Sequence, residues 1–82
     1  MHVIVIDRRP YHQWGMNLRE LRRAKGIGTQ RELAEKVGVT KSAVASWERG
    51  EIAPRDKHKQ AVARALGVDA STIFPISALE QQ

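Results

Sequence analysis

Three residues, Gly38-Val39-Thr40, separate two segments of helical pattern, and that short spacing constrains the fold more than any other feature of the sequence. Upstream, Thr29-Gln30-Arg31-Glu32 has the form of a capping box, in which the Thr hydroxyl accepts from the amide three residues on and the Glu reaches back. Leu33, Ala34 and Val37 follow at helical spacing, and Gly38 suits the left-handed position that ends a helix. Downstream, Thr40 is a second N-cap, Val44 and Trp47 lie three apart on one side, and Gly50 follows Arg49 as a stop. A link this short forces the two helices to cross sharply. Ala34 falls where they approach closest, and a larger side chain there would push them apart. Leu33, Val39, Val44 and Trp47 then form the inside of the corner. Lys41, Ser42, Ala45, Ser46 and Arg49 are left on the outside of the second helix.

The flanking segments carry similar punctuation. Met1 to Asp7 is apolar and β-branched and is broken by Arg8-Arg9-Pro10, the pattern of one short strand. Val3 to Ile6 are all apolar, so such a strand either packs on its own domain or pairs with its counterpart in a second copy. From about Gly15 the pattern turns helical. Leu18 and Leu21 share a face of a first helix that ends at Gly26, with Asn17 at the N-cap position and Glu20 three residues on. Asp56 is the expected cap of a fourth helix with Ala61, Val62, Ala65 and Leu66 inward and Gly67 at its end. Asp69 caps a short fifth helix ending near Phe74-Pro75. The expected organisation is an arm with a short strand over residues 1–14, a helical domain over 15–75 and a C-terminal tail over 76–82. The fold class is all-α, five helices with an added N-terminal β-strand.

Composition narrows the function. A chain of 82 residues suits one domain and leaves no room for a second that senses a ligand or cleaves itself. Fourteen Lys and Arg oppose nine Asp and Glu, a balance that attracts polyanions, nucleic acid the commonest among them. The absence of cysteine excludes a disulfide framework and a thiolate metal site and is compatible with a cytoplasmic protein. No apolar run approaches the ~20 residues of a membrane span. Val3-Ile4-Val5-Ile6 is too short for a signal peptide and has no cationic segment before it. His2, His12 and His58 are scattered without ligand spacing, so neither a metal nor another cofactor is expected. Nor is an enzyme: no nucleophile has an evident base partner, and no glycine loop follows a strand to cradle phosphate. The cationic runs Arg22-Arg23-Lys25 and Lys57-His58-Lys59 read as solvated faces, Lys57 or His58 being the better placed to meet a polyanion.

Together these residues resemble the Cro and lambda-repressor, or Xre-like, type of helix-turn-helix DNA-binding domain. The stretches that carry the resemblance are Leu18-Arg19-Glu20-Leu21-Arg22, Thr29 through Val39, Ser46-Trp47-Glu48-Arg49-Gly50, Pro54, and Ala65-Leu66-Gly67-Val68. It covers about two thirds of the chain, and several caps, glycines and apolar positions keep the family's spacing together. The resemblance implies that Gln30 meets a phosphate at the positive start of the second helix. It also implies that Lys41, Ser42 and Ser46 lie at the base-reading positions, with Thr40 and Ala45 contacting DNA beside them. Lys41 could donate to guanine, the serines could donate or accept, and Ala45 could pack a thymine methyl. Arg49, Arg55 and Lys57 become backbone contacts, and Arg22 with Glu48 a structural ion pair between the first and third helices. Three positions depart from the family pattern. Gly28 is an extra residue after Ile27, Asp56 replaces a common apolar residue, and Ser46 stands where Arg or Gln is frequent. Short hydroxyls read bases less decisively, which shifts weight to Lys41, water and DNA shape.

By that resemblance the chain is expected to regulate transcription, as a repressor that binds a two-fold symmetric operator as a homodimer. It is closest in kind to the compact phage Cro-type repressors. Two alternatives keep DNA binding: a restriction-modification controller, whose Glu32 or Glu35 could touch RNA polymerase, and an antitoxin-type regulator. A third is a protein-interaction module that no longer binds DNA.

Overall fold

Threonine hydroxyls define the two central helices. In the computed structural model, which describes residues 10–75, α2 (Gln30–Val37) and α3 (Lys41–Glu48) each begin beside one. Thr29 Oγ1 accepts from the Glu32 amide at 3.1 Å, and Thr40 Oγ1 from the Ala43 amide at 3.1 Å. Gly38 ends α2 with φ at 86°, and its amide and that of Val39 both donate to the Ala34 carbonyl. The sharp corner therefore falls where the three-residue link requires it. Among the described residues all regular structure is helical, with α1 (His12–Ala24), α4 (Asp56–Leu66) and α5 (Ala70–Ile73) completing five helices. The expected N-terminal strand and the expected C-terminal tail lie outside the described residues.

The starts of α1 and α4 differ from the sequence expectation, whereas α5 begins after Asp69 as expected. α1 begins at His12, before Gly15, so Asn17 lies inside the helix and does not cap it. No side chain caps α1; instead the Tyr11 amide donates to the Gly50 carbonyl at 3.1 Å, a contact between distant parts of the chain that no local pattern encodes. Asn17 Nδ2 donates across to the Ile73 carbonyl at 3.0 Å. Asp56 is the first residue of α4 and Arg55 takes the N-cap position, with no side-chain bond. The Asp56 carboxylate, nearly fully exposed, stands 3.6 Å from Lys59 Nζ and still favours the positive end of the helix. Asp69 holds the N-cap position of α5, also without a side-chain bond.

Every helix contributes to one core. Leu18, Leu33, Val44, Val62 and Ile73 are fully buried, each contributing about 1.5–3 kcal/mol of transfer free energy. Ala34 and Trp47 are buried as expected, whereas Val39 is half-buried at the rim of the corner. On α4 it is Ala63 that is buried, with Ala61 and Ala65 only half-buried. Trp14, which local pattern leaves in the arm, is a core residue because α1 starts early. Its Nε1 donates to the Pro75 carbonyl at 3.0 Å, its ring stacks on Tyr11, and Phe74 meets it edge-on. Lys59 Nζ lies 4.5 Å from the Trp14 ring centre, a cation–π contact that ties α4 to α1.

Two glycines let α1 and the end of α3 touch backbone to backbone. A Cβ at Gly15 would lie 2.7 Å from the Trp47 carbonyl oxygen and closer still to that of Glu48. Gly50, at φ 74°, has no room for one either, since it would meet the backbone of His12 at 2.6 Å. Beside this crossing sits a buried ion pair. Arg22 Nε donates to Glu48 Oε2 at 2.7 Å and Nη2 to Oε1 at 3.2 Å, with both side chains about 95% removed from solvent. Arg22 Nη1 donates to the Ile27 carbonyl at 2.9 Å, which holds the loop leading to α2. The two-pronged geometry uses the fork of the guanidinium, and the carbonyl satisfies a further N–H.

Two outcomes follow for stability. Arg22→Ala leaves Glu48 buried without its partner, at a cost of about 3–5 kcal/mol, while Arg23→Ala on the exposed face costs almost nothing. Thermal melting compares them, and equal shifts in midpoint would refute the structural role of the pair. Gly15→Ala should destabilise by about 1–3 kcal/mol through overpacking. An exposed mid-helix glycine would instead gain ~1 kcal/mol from the same change, so the sign of the shift decides whether the close crossing is real.

Candidate nucleic-acid interface

Val44, Trp47 and Glu48 of α3 are buried and Ala43 packs against the core, which leaves Lys41, Ser42, Ala45 and Ser46 toward the outside. Lys41, Ser42, Ala45, Ser46 and Arg49 line one shallow concavity of about 280 Å³. Lys41 and Ser42 are exposed in the first turn, next to the Thr40 cap, and Ala45 and Ser46 are half-buried one turn on. The surface is small at its centre, hydroxyl-bearing along one edge and cationic at both ends. An α-helix with such a face fits the major groove, where small side chains allow close approach and hydroxyls and cations meet base edges and phosphates.

Arg49 is already engaged. Its Nε donates to Glu51 Oε1 at 2.5 Å and its Nη2 to Ser46 Oγ at 3.2 Å. The pair with Glu51 is half exposed, so it contributes little to stability and can exchange for a phosphate. Ser46 Oγ is held by the same guanidinium, which fixes where its own proton can point.

Gln30, expected to meet a phosphate, stands at the start of α2. It is half-buried and its Nε2 donates to Glu48 Oε1 at 3.1 Å, joining the Arg22 pair. Only the second amide hydrogen is left for another acceptor. Arg55 and Lys57 stand exposed at the start of α4 and are not among the residues lining the α3 concavity. His58, expected near a polyanion, is half-buried with its ring 5.7 Å from that of Trp47.

A second and larger hollow, of about 510 Å³, adjoins the first and shares Arg49 with it. It lies between α1 and the start of α2, with Arg19, Arg22 and Arg23 on one side and Gly28, Thr29 and Gln30 on the other. By local spacing alone Arg23 reads as a solvated cation, and nothing singles out Arg19. The signal that marks them is their spacing around Arg22: positions three and four apart share a helix face, and that face is the one turned toward α2. Among the described residues no cluster of metal-binding side chains occurs, and no helix is long and apolar enough to cross a membrane.

Known proteins share this fold. Residues 18–73 match the helix-turn-helix family. An uncharacterized HTH-type transcriptional regulator of Methanothermobacter thermautotrophicus is 44% identical over 50 residues, covering 61% of this chain and 71% of the relative. The solution structure of the DNA-binding domain of the P22 c2 repressor superposes with a TM-score of 0.68 at 29% identity, covering 88% of this chain and 92% of that one. With 18–73 spanning all the α2–α3 corner and most of the core, the chain belongs to the helix-turn-helix family of DNA-binding transcriptional regulators, as its Cro and lambda-repressor resemblance implies.

Proposed function

We propose that this chain is a repressor that binds a two-fold symmetric operator as a homodimer, with one α3 in each of two successive major grooves. The observation that carries the reading is the composition of the outward face of α3. All of its packing residues point inward, and what is left is Lys41, Ser42, Ala45, Ser46 and Arg49 on one surface. The limited reach of one helix supports two-fold binding. An eight-residue helix brings about three or four side chains to base edges, few for singling out a site among the ~10⁶ or more competitors in a genome. Two copies with half-sites one turn apart, ~34 Å, double the reading.

The mechanism is occupancy. Lys41 and the two serines meet base edges, Ala45 packs a thymine methyl, and Thr40, Arg49, Arg55 and Lys57 meet the backbone. Gln30 reaches a phosphate with its second amide hydrogen while its first stays on Glu48. A promoter under such a dimer is closed to polymerase. Glu32 and Glu35 are exposed on α2, so a touch on RNA polymerase would turn the same binding into activation. Transcription from a promoter carrying the site separates repression from activation. The site of action is the cytoplasm of a bacterial or phage-infected cell, wherever the DNA lies.

Binding titrations across salt test the reading. Affinity should fall steeply as salt rises, with log K against log salt sloping by about −0.9 for each phosphate neutralised. Lys41→Ala should cost about 1–3 kcal/mol if it reads a base, or reduce the slope by about 1 if it meets a phosphate. Arg49→Ala should reduce the slope likewise. Glu51→Gln should tighten binding by about two- to fivefold, because Arg49 no longer has to leave a carboxylate. A weak salt dependence with no response to Lys41→Ala or Arg49→Ala would instead identify a protein-interaction module.

A further inference from the structure

The end of α3 folds back on the helix. Gly50, at φ 74°, turns the chain so that its amide donates to the Trp47 carbonyl at 3.0 Å and the Glu51 amide to the Ser46 carbonyl at 3.2 Å. The Arg49 side chain lies between those of the two residues so joined, with Nε on Glu51 Oε1 and Nη2 on Ser46 Oγ. Ser46 and Arg49 both line the concavity on the outer face of α3, Ser46 half-buried and Arg49 exposed. A serine hydroxyl has one proton and two lone pairs, and on an open helix face it donates or accepts as its partner requires. Here a guanidinium N–H already points at the oxygen, so within the protein the hydroxyl is the acceptor. Its proton turns away from the cation, and a hydroxyl that accepts a charge-assisted bond is polarised into a stronger donor.

We infer that Arg49 sets the polarity of Ser46, so that this serine reads DNA as a donor alone and selects a base that presents an acceptor to it. The inference rests on the DNA-binding reading above and adds to it which base edges Ser46 accepts. In the major groove guanine offers N7 and O6, adenine N7 and thymine O4, whereas cytosine offers its N4 amino donor. Cytosine is therefore the base this hydroxyl excludes, since its amino group would meet a proton with a guanidinium behind it. Arg49 is a positioning residue in this scheme, because it touches Ser46 and a phosphate but not the base. On DNA its Nε exchanges the exposed Glu51 carboxylate for a phosphate while Nη2 stays on Ser46. One guanidinium thus couples a backbone contact to the choice of a base.

The test selects duplexes from a random pool with the unaltered protein, Ser46→Ala, Arg49→Met, the double variant and Lys57→Gln, then compares the four bases at each enriched position by binding titration. The position that responds to Ser46→Ala is the one under Ser46. The strand it faces is the one whose abasic substitution removes that response. There the unaltered protein should bind cytosine about two- to tenfold less well than the preferred base, the range expected of one hydrogen bond. Arg49→Met, which keeps a long side chain without a donor, should erase that penalty, because the freed lone pair accepts from the cytosine amino group. The other positions should keep their bases. In the Ser46→Ala background Arg49→Met should change no base. Lys57→Gln also removes a cation and should weaken binding without altering any base. If Ser46→Ala shifts a position that Arg49→Met leaves unchanged, or that does not exclude cytosine, the inference fails and the function stands. A base shift from Arg49→Met in the Ser46→Ala background would make Arg49 a direct reader and overturn the inference, as would a Ser46→Ala that alters no base. Selection of no consensus by the unaltered protein would overturn both.

Discussion

The guanidinium of Arg22 and the carboxylate of Glu48 meet where α1, α3 and the loop into α2 converge, and the placement of the reading helix depends on that meeting. Taking two charges out of water is costly, and an apolar pair of similar volume could be as stable. What the ion pair adds is a unique register. If α3 slid by one turn, Glu48 and Arg22 would both be buried without a partner, and each such group costs several kcal/mol. Gln30 brings the start of α2 into the same network. α1, α2 and α3 are thus referenced to a single pair of side chains.

Around that pair the backbones come unusually close. Gly15 lies against the Trp47 and Glu48 carbonyls, and Gly50 against the backbone of His12. The Tyr11 amide closes the gap to Gly50, while Trp14 and Asn17 bond the far end of the domain at Pro75 and Ile73. α1 is consequently held at both its start and its buried face. α3, fixed from behind, has no packing duty on its outer side, so that side can be small, polar and cationic without loss of stability. The same division explains why Arg49 can rest on Glu51 in the free protein: the pair is exposed and weak.

Elements specified by adjacent residues were legible in the sequence. The α2–α3 corner is written in Thr29, Gly38 and Thr40, and the inward set of Leu33, Ala34, Val44 and Trp47 follows from period 3.6. The start of α1 was not, because its first turn is fixed by Gly50, nearly forty residues away, and no capping side chain announces it. Trp14 was missed for the same reason. In the site, Lys41, Ser42, Ala45, Ser46 and Arg49 fall together as their spacing on one helix demands. The engagement of Gln30 with Glu48, and the convergence of Arg19 and Arg23 on a hollow, depend on how α1 crosses α2 and α3. No local spacing states that angle.

Whether the outward face of α3 reads DNA sequence is decided by selecting duplexes from a random pool. A two-fold symmetric consensus should be enriched, its half-sites centred about one helical turn, ~34 Å, apart. Changing Lys41 or Ser46 should alter the bases enriched within each half-site while the spacing stays fixed. Recovery of no consensus, or of one indifferent to every residue on that face, would contradict that reading.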